Sequence, residues 1–182
     1  MTRITDSEDC FKCRGCCKFE KDHLFFAPLV TKKERDAIEK DPKTWGVKPV
    51  FKPHKGSNKV FQIQMISSKL EKDMFVCPFL IEMNHECQIY NKRPFDCRFW
   101  PFLLMKGDSE GEIDVMLYNE DVCPSLDKKT CEVIKVHERE ALETVNSPEM
   151  RAILKENPEL AWPKDAEDAE DVRKVGTVRL FD

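Results

Sequence analysis

Between residues 60 and 66 the chain alternates: Phe61, Ile63 and Met65 stand against Gln62 and Gln64. A period of two marks a strand with one buried face. The stretch "DMFVC", residues 73–77, reads as its partner. "PFLLMKGDSEGEIDVMLY" reads as a hairpin, with Gly107 and Gly111 bracketing the turn. Earlier, "TKKERDAIEKD" places Thr31 and Glu34 in capping-box positions ahead of a short charged helix. From about Asp127 the period becomes helical, with Ile134, Ala141, Leu142 and Val145 on one stripe. "SPEM" restarts a helix, with Ser147 as N-cap and Pro148 at its first position. Pro42, Gly46, Pro49, Pro53, Gly56, Ser57 and Asn58 make residues 41–58 a loop. The last 20 residues, with "DAEDAEDVRK", read as an acidic tail or peripheral helix.

The pattern predicts an α+β fold. A short antiparallel sheet (about 60–66, 73–76, 102–106 and 112–118) is flanked by helices near 32–40 and 128–156. Residues 1–126 form the main domain, and 127–182 a helical extension with an acidic tail.

Charge and composition narrow the roles. The net charge is −4 and the hydrophobic fraction 41%. No basic excess supports nonspecific nucleic-acid binding, so no nucleic-acid partner is expected. "MTRITDSED" has no apolar signal core, and no run approaches a membrane span, so the expected compartment is cytoplasmic and no membrane partner is expected. Nine cysteines in that reducing compartment point to metal or redox chemistry rather than to a disulfide framework.

The cysteines are patterned. "CFKCRGCCKF" sets Cys10, Cys13, Cys16 and Cys17 in the spacing C-x2-C-x2-C-C. Two cysteines at x2 spacing face one metal across a tight loop, which is why the spacing recurs in zinc and iron–sulfur sites. Cys16 and Cys17 are adjacent, so they serve two centres, or one of them stands behind the ligands. A second segment, "CPFLIEMNHECQIYNKRPFDCRFWP", places Cys77, Cys87 and Cys97 ten residues apart. Cys77-Pro78 and Cys123-Pro124 are remote Cys-Pro pairs of the kind that complete a four-iron cluster in bacterial ferredoxins. Eight cysteines suffice for two four-coordinate sites, or for one site with spares. The triple run and the Cys-Pro pairs favour an iron–sulfur cluster (4Fe–4S) over zinc, although thiolates accept either. Cys131 reads as a core residue on a helix.

Taken in order, "CFKCRGCCKF", "CPFL", "CQIY", "RPFDCRFWP" and "CPSL" resemble the CxxCxxCC family, also called the YkgJ-type cysteine-cluster family and described as zinc- or iron-chelating. The resemblance covers about residues 10 to 126. It implies metal binding by Cys10, Cys13, Cys16, Cys17, Cys77, Cys87 and Cys97. Cys123 maps less securely, because Ser125 stands where glycine is expected. Tyr90, Arg93, Pro94, Arg98 and Pro101 map onto the family's framing residues. A related cysteine pattern occurs in bacterial flagellin lysine N-methylases, which use S-adenosylmethionine and are thought to need an iron–sulfur cluster.

Other residues bear on the site. Lys12, Arg14 and Lys18 offset the charge of a thiolate-bound group, or are ordinary solvated surface. Arg93 and Arg98 serve an anionic cluster, or form ion pairs with Asp96 or other acids. Tyr90, Phe99 and Trp100 shield the site or are simply core. His85 reads as a turn residue rather than a zinc ligand. His23, His54 and His137 have no ligand spacing. The radical S-adenosylmethionine spacing is absent, since Glu20 occupies its third position. With no Gly-rich cofactor loop, no HExxH and six glycines in all, a binding module with a protein redox or enzyme partner is favoured over an enzyme.

Overall fold

A computed structural model describes residues 17–40, 48–119, 122–123, 125–164 and 171–181. The fold is α+β, with short antiparallel sheets and helices. It divides into two compact units, whose described parts are residues 17–98 and 99–181.

The first unit opens with β1 (Lys18–Glu20), β2 (Leu29–Thr31) and α1 (Lys32–Glu39). The capping box forms as the sequence predicts. The Thr31 hydroxyl accepts from the Glu34 N–H, and the Glu34 carboxylate accepts from the Thr31 N–H at 2.9 Å. That satisfies two donors that a helix start leaves without partners. The chain continues through β3 (Phe51–Pro53), β4 (Val60–Ile63), β5 (Ile66–Ser67), β6 (Met74–Val76), β7 (Leu80–Ile81) and β8 (Glu86–Cys87). The sheets are β2-β4-β3 and β1-β6-β5, with β7 and β8 as a two-stranded ribbon. Their common core holds Val30, Ile38, Phe61, Ile63, Met65, Phe79 and Ile89. Helix α2 (Phe95–Phe99) closes this stretch, all but its last residue belonging to this unit.

The second unit is a hairpin of β9 (Phe102–Lys106) and β10 (Glu112–Tyr118), with β11 (Val172–Arg179) on the other edge of β10. Gly107 is required at the turn: a Cβ there would lie 2.3 Å from the Glu112 Cβ. Gly111 has φ +77°, which a side chain disfavours. Helices α3 (Cys131–Asn146) and α4 (Pro148–Glu156) are capped by Thr130 and Ser147. Helix α3 buries Ala141 and Val145, and Gly176 of β11 lies under Leu142. Asp114 is buried and satisfied by the Lys174 ammonium and the Thr177 hydroxyl, both at 2.7 Å.

Two expectations change. The strands do not join into one sheet. Residues 60–63 belong to β2-β4-β3, residues 66–67 and 74–76 to β1-β6-β5, and the 102–118 hairpin to the second unit. Periodicity identifies strands but not their partners, and strands as short as Lys18–Glu20 give no periodic signal. Residues 172–179 are also a strand, not a tail or a helix. Val172 and Val178 are buried, and the register slips by one residue opposite Val115/Met116, leaving Val175 as a bulge. The bulge breaks the alternation, and the preceding acidic run dominates the composition of that region.

Candidate metal centre

Cys17 is the described end of the first cysteine run. It directly precedes β1, which pairs antiparallel with β6 in the register Lys18↔Val76. One step outward brings Cys17 opposite Cys77, and the Cys77 N–H donates to the Cys17 carbonyl at 2.9 Å. Directly opposed residues of an antiparallel pair present their side chains on the same face, about 5 Å apart at Cβ. This pairing continues the β1–β6 ladder and brings together two cysteines far apart in the sequence.

Cys77-Pro78-Phe79-Leu80 is a tight turn, with the Leu80 N–H donating to the Cys77 carbonyl at 2.9 Å. Leu80 then pairs with Cys87 across the β7–β8 ribbon, and the Gln88 N–H donates to the Phe79 carbonyl at 2.9 Å. Proline at the second position suits such a turn because its φ is already set. Cys77 is 7% exposed in the core of this unit, and half-buried Cys17 and Cys87 pack against the same cluster. Three cysteines from three places in the sequence therefore meet around one core.

Cys97 lies on α2 and is half-buried. Sequence reasoning missed how this helix is held. Its first N–H, from Phe95, donates to a Glu34 carboxylate oxygen at 2.7 Å, and its Asp96 carboxylate accepts from the Leu29 N–H at 2.9 Å. Burial pushes the Asp96 carboxyl up to about 6, the neighbouring Glu34 charge adds to this, and the Leu29 N–H opposes it. Neither Arg93 nor Arg98 pairs with Asp96. Arg93 donates to the Tyr90 carbonyl at 3.0 Å and stacks over the Tyr90 ring at 4.0 Å, and Arg98 is exposed. Lys18 pairs with Glu71.

Cys123 belongs to the second unit and is buried. Its N–H donates to the Asn119 carbonyl, and its own carbonyl accepts from Leu126. Phe99 and Trp100 also lie in that unit, packed on Phe102 and Tyr118. Cys131 is on a helix but is exposed at its first residue, contrary to the expected core position. The stripe that buries Ala141 and Val145 does not extend back to it. His85 sits in the ribbon turn with φ +59°, as a turn residue should. Cys10, Cys13 and Cys16, with Lys12 and Arg14, lie outside the described residues. Among the described residues no three His, Cys, Asp or Glu side chains converge closely enough to hold a metal ion by themselves. No helix among them is long and apolar enough to cross a membrane.

The first unit is α+β, and its core packs cysteines from distant points of the chain. Residues 9–124, more than half of the chain, match the CxxCxxCC family, which carries the description "Putative zinc- or iron-chelating domain". The chain belongs to that family. No curated protein and no solved structure matches it.

Proposed function

We propose that this protein binds an iron–sulfur cluster through cysteine thiolates and acts as a metal-binding module, in electron transfer or metal handling, for a protein partner. The observation that carries the reading is the Cys17–Cys77 backbone pairing. It makes the end of the C-x2-C-x2-C-C run a neighbour of the Cys-Pro turn, and Cys87 packs on the same core. Soft thiolates are the donor set such a group requires. Cys10, Cys13, Cys16, Cys87 and Cys97 are the further candidate ligands, and one four-iron cluster takes four cysteines in all, Cys17 and Cys77 among them. A bound cluster would supply one-electron chemistry. The chain supplies a largely buried donor, Cys77, and a turn that holds it rigidly.

The test is metal stoichiometry in single variants. Cys13→Ser, Cys17→Ser and Cys77→Ser should each lower metal content and thermal stability together, because ligation contributes folding free energy. Unchanged metal per chain in Cys17→Ser and Cys77→Ser would overturn the assignment.

A further inference from the structure

We propose that Glu34 and Asp96 are positioning residues for Cys97, fixing the helix that carries it and thereby setting how tightly the metal is held. The inference rests on Cys97 being a ligand, as argued above.

Helix α2 has five residues, too few to be stable alone. Its position must be imposed from outside. The described structure shows two side-chain bonds that do this, running in opposite directions between the same two segments. Glu34, from α1, accepts the Phe95 N–H at 2.7 Å, and Asp96, from α2, accepts the Leu29 N–H at 2.9 Å. Glu34 is itself held, since its second oxygen accepts both the N–H and the hydroxyl of Thr31 at 2.9 Å. Leu29 is equally fixed, at 1% exposure beside fully buried Val30. The two anchors thus tie residue 95 to α1 and residue 96 to β2 of the packed β2-β4-β3 layer, and the next residue is Cys97. Bonds at consecutive residues restrain both the place and the rotation of the helix, and so the direction of the third side chain. Groups that orient a metal ligand commonly change affinity 10- to 100-fold when removed.

The expected result is read by zinc affinity, from competition with a chromophoric chelator, and by the visible absorption of the Co2+-loaded full-length protein. Asp96→Ala and Glu34→Ala should each weaken zinc binding about tenfold or more and alter the Co2+ bands. Asp96→Asn and Glu34→Gln keep an accepting oxygen and should restore most of the affinity. Thr31→Ala lowers stability but leaves Glu34 bonded to Phe95, so affinity should hold. Should the alanine forms not fold, Asp96→Glu, which displaces the accepting oxygen by one methylene, takes their place with the same expectation. Wild-type affinity and spectrum in the Asp96 and Glu34 variants, or an equal loss in Thr31→Ala, would overturn the positioning role. Wild-type affinity and spectrum in Cys97→Ser would instead overturn the ligand assignment on which it rests.

Discussion

Replacing Phe79 by alanine removes a ring that is 0% exposed, at the centre of the core shared by Cys17, Cys77 and Cys87. A buried phenylalanine cut to alanine costs about 3–5 kcal/mol, combining lost transfer free energy with a cavity. Domains are stable by about 5–15 kcal/mol, so this is about a fifth of the total or more. The effect should reach the metal. Phe79 lies two residues after Cys77, and its carbonyl accepts the N–H of Gln88, the residue after Cys87. Where the metal-free unit is largely unfolded, the same loss appears in binding, and about 3 kcal/mol corresponds to roughly 100-fold weaker affinity. Phe79→Leu keeps most of the volume and should cost less than about 1.5 kcal/mol. Urea unfolding of zinc-loaded and chelated protein, with chelator competition, reads both quantities. A Phe79→Ala midpoint equivalent to within about 0.5 kcal/mol of wild type would refute the placement of Phe79 in this core.

Cys131→Ser should change neither metal content nor stability, because the residue is exposed and Thr130 still caps α3; a lost metal equivalent per chain would contradict this. Ser147→Ala removes the acceptor for the Met150 N–H and should cost about 1 kcal/mol in urea unfolding, with no loss of metal. Glu82 ties two turns of the first unit by accepting from the Ser68 hydroxyl and from the Lys69 N–H at 3.0 Å. Burial pushes its carboxyl up, but the Ser68 hydroxyl, the Lys69 and Leu70 N–H groups and the Lys69 charge together hold it below its ordinary value of 4.5. A depressed carboxylate contributes stability above its unfolded value and loses it as pH falls through the folded one. The destabilisation in Glu82→Gln should therefore be full above pH 4.5 and shrink below it; thermal unfolding at pH 6 and in the acid range measures this.

Much of the local structure was legible because it is written in adjacent residues. Thr31 with Glu34, and Ser147 with Pro148, announce helix starts through short-range bonds. Gly107 and Gly111 announce the turn between Phe102–Lys106 and Glu112–Tyr118. The cysteine blocks announced the family for the same reason, since ligand spacing is local chemistry. What was hidden depends on distant partners. Glu34 reads as a capping residue and nothing in its neighbourhood shows that it also receives the Phe95 N–H, 61 residues away. The strand at 172–179 is masked by its bulge and the acidic run before it. Cys131 reads as core because cysteine is among the most often buried residues, yet the helix begins at Cys131 itself, capped by Thr130, and leaves it on the exposed first turn. Cys123 belongs to the second unit and Cys17, Cys77, Cys87 and Cys97 to the first, a division that no spacing rule records.

We propose above that Cys17 and Cys77 hold one metal group, an iron–sulfur cluster. The most direct measurement is anaerobic purification, followed by iron, acid-labile sulfide and zinc per chain with a visible spectrum, for wild type, Cys17→Ser and Cys77→Ser. The wild type should carry about four irons and four sulfides with a broad band at about 400 nm, lost in both variants. One or two zincs without sulfide, lost in both variants, would contradict the cluster and leave the paired cysteines as a zinc site. Wild-type metal content in both variants would contradict the pairing itself.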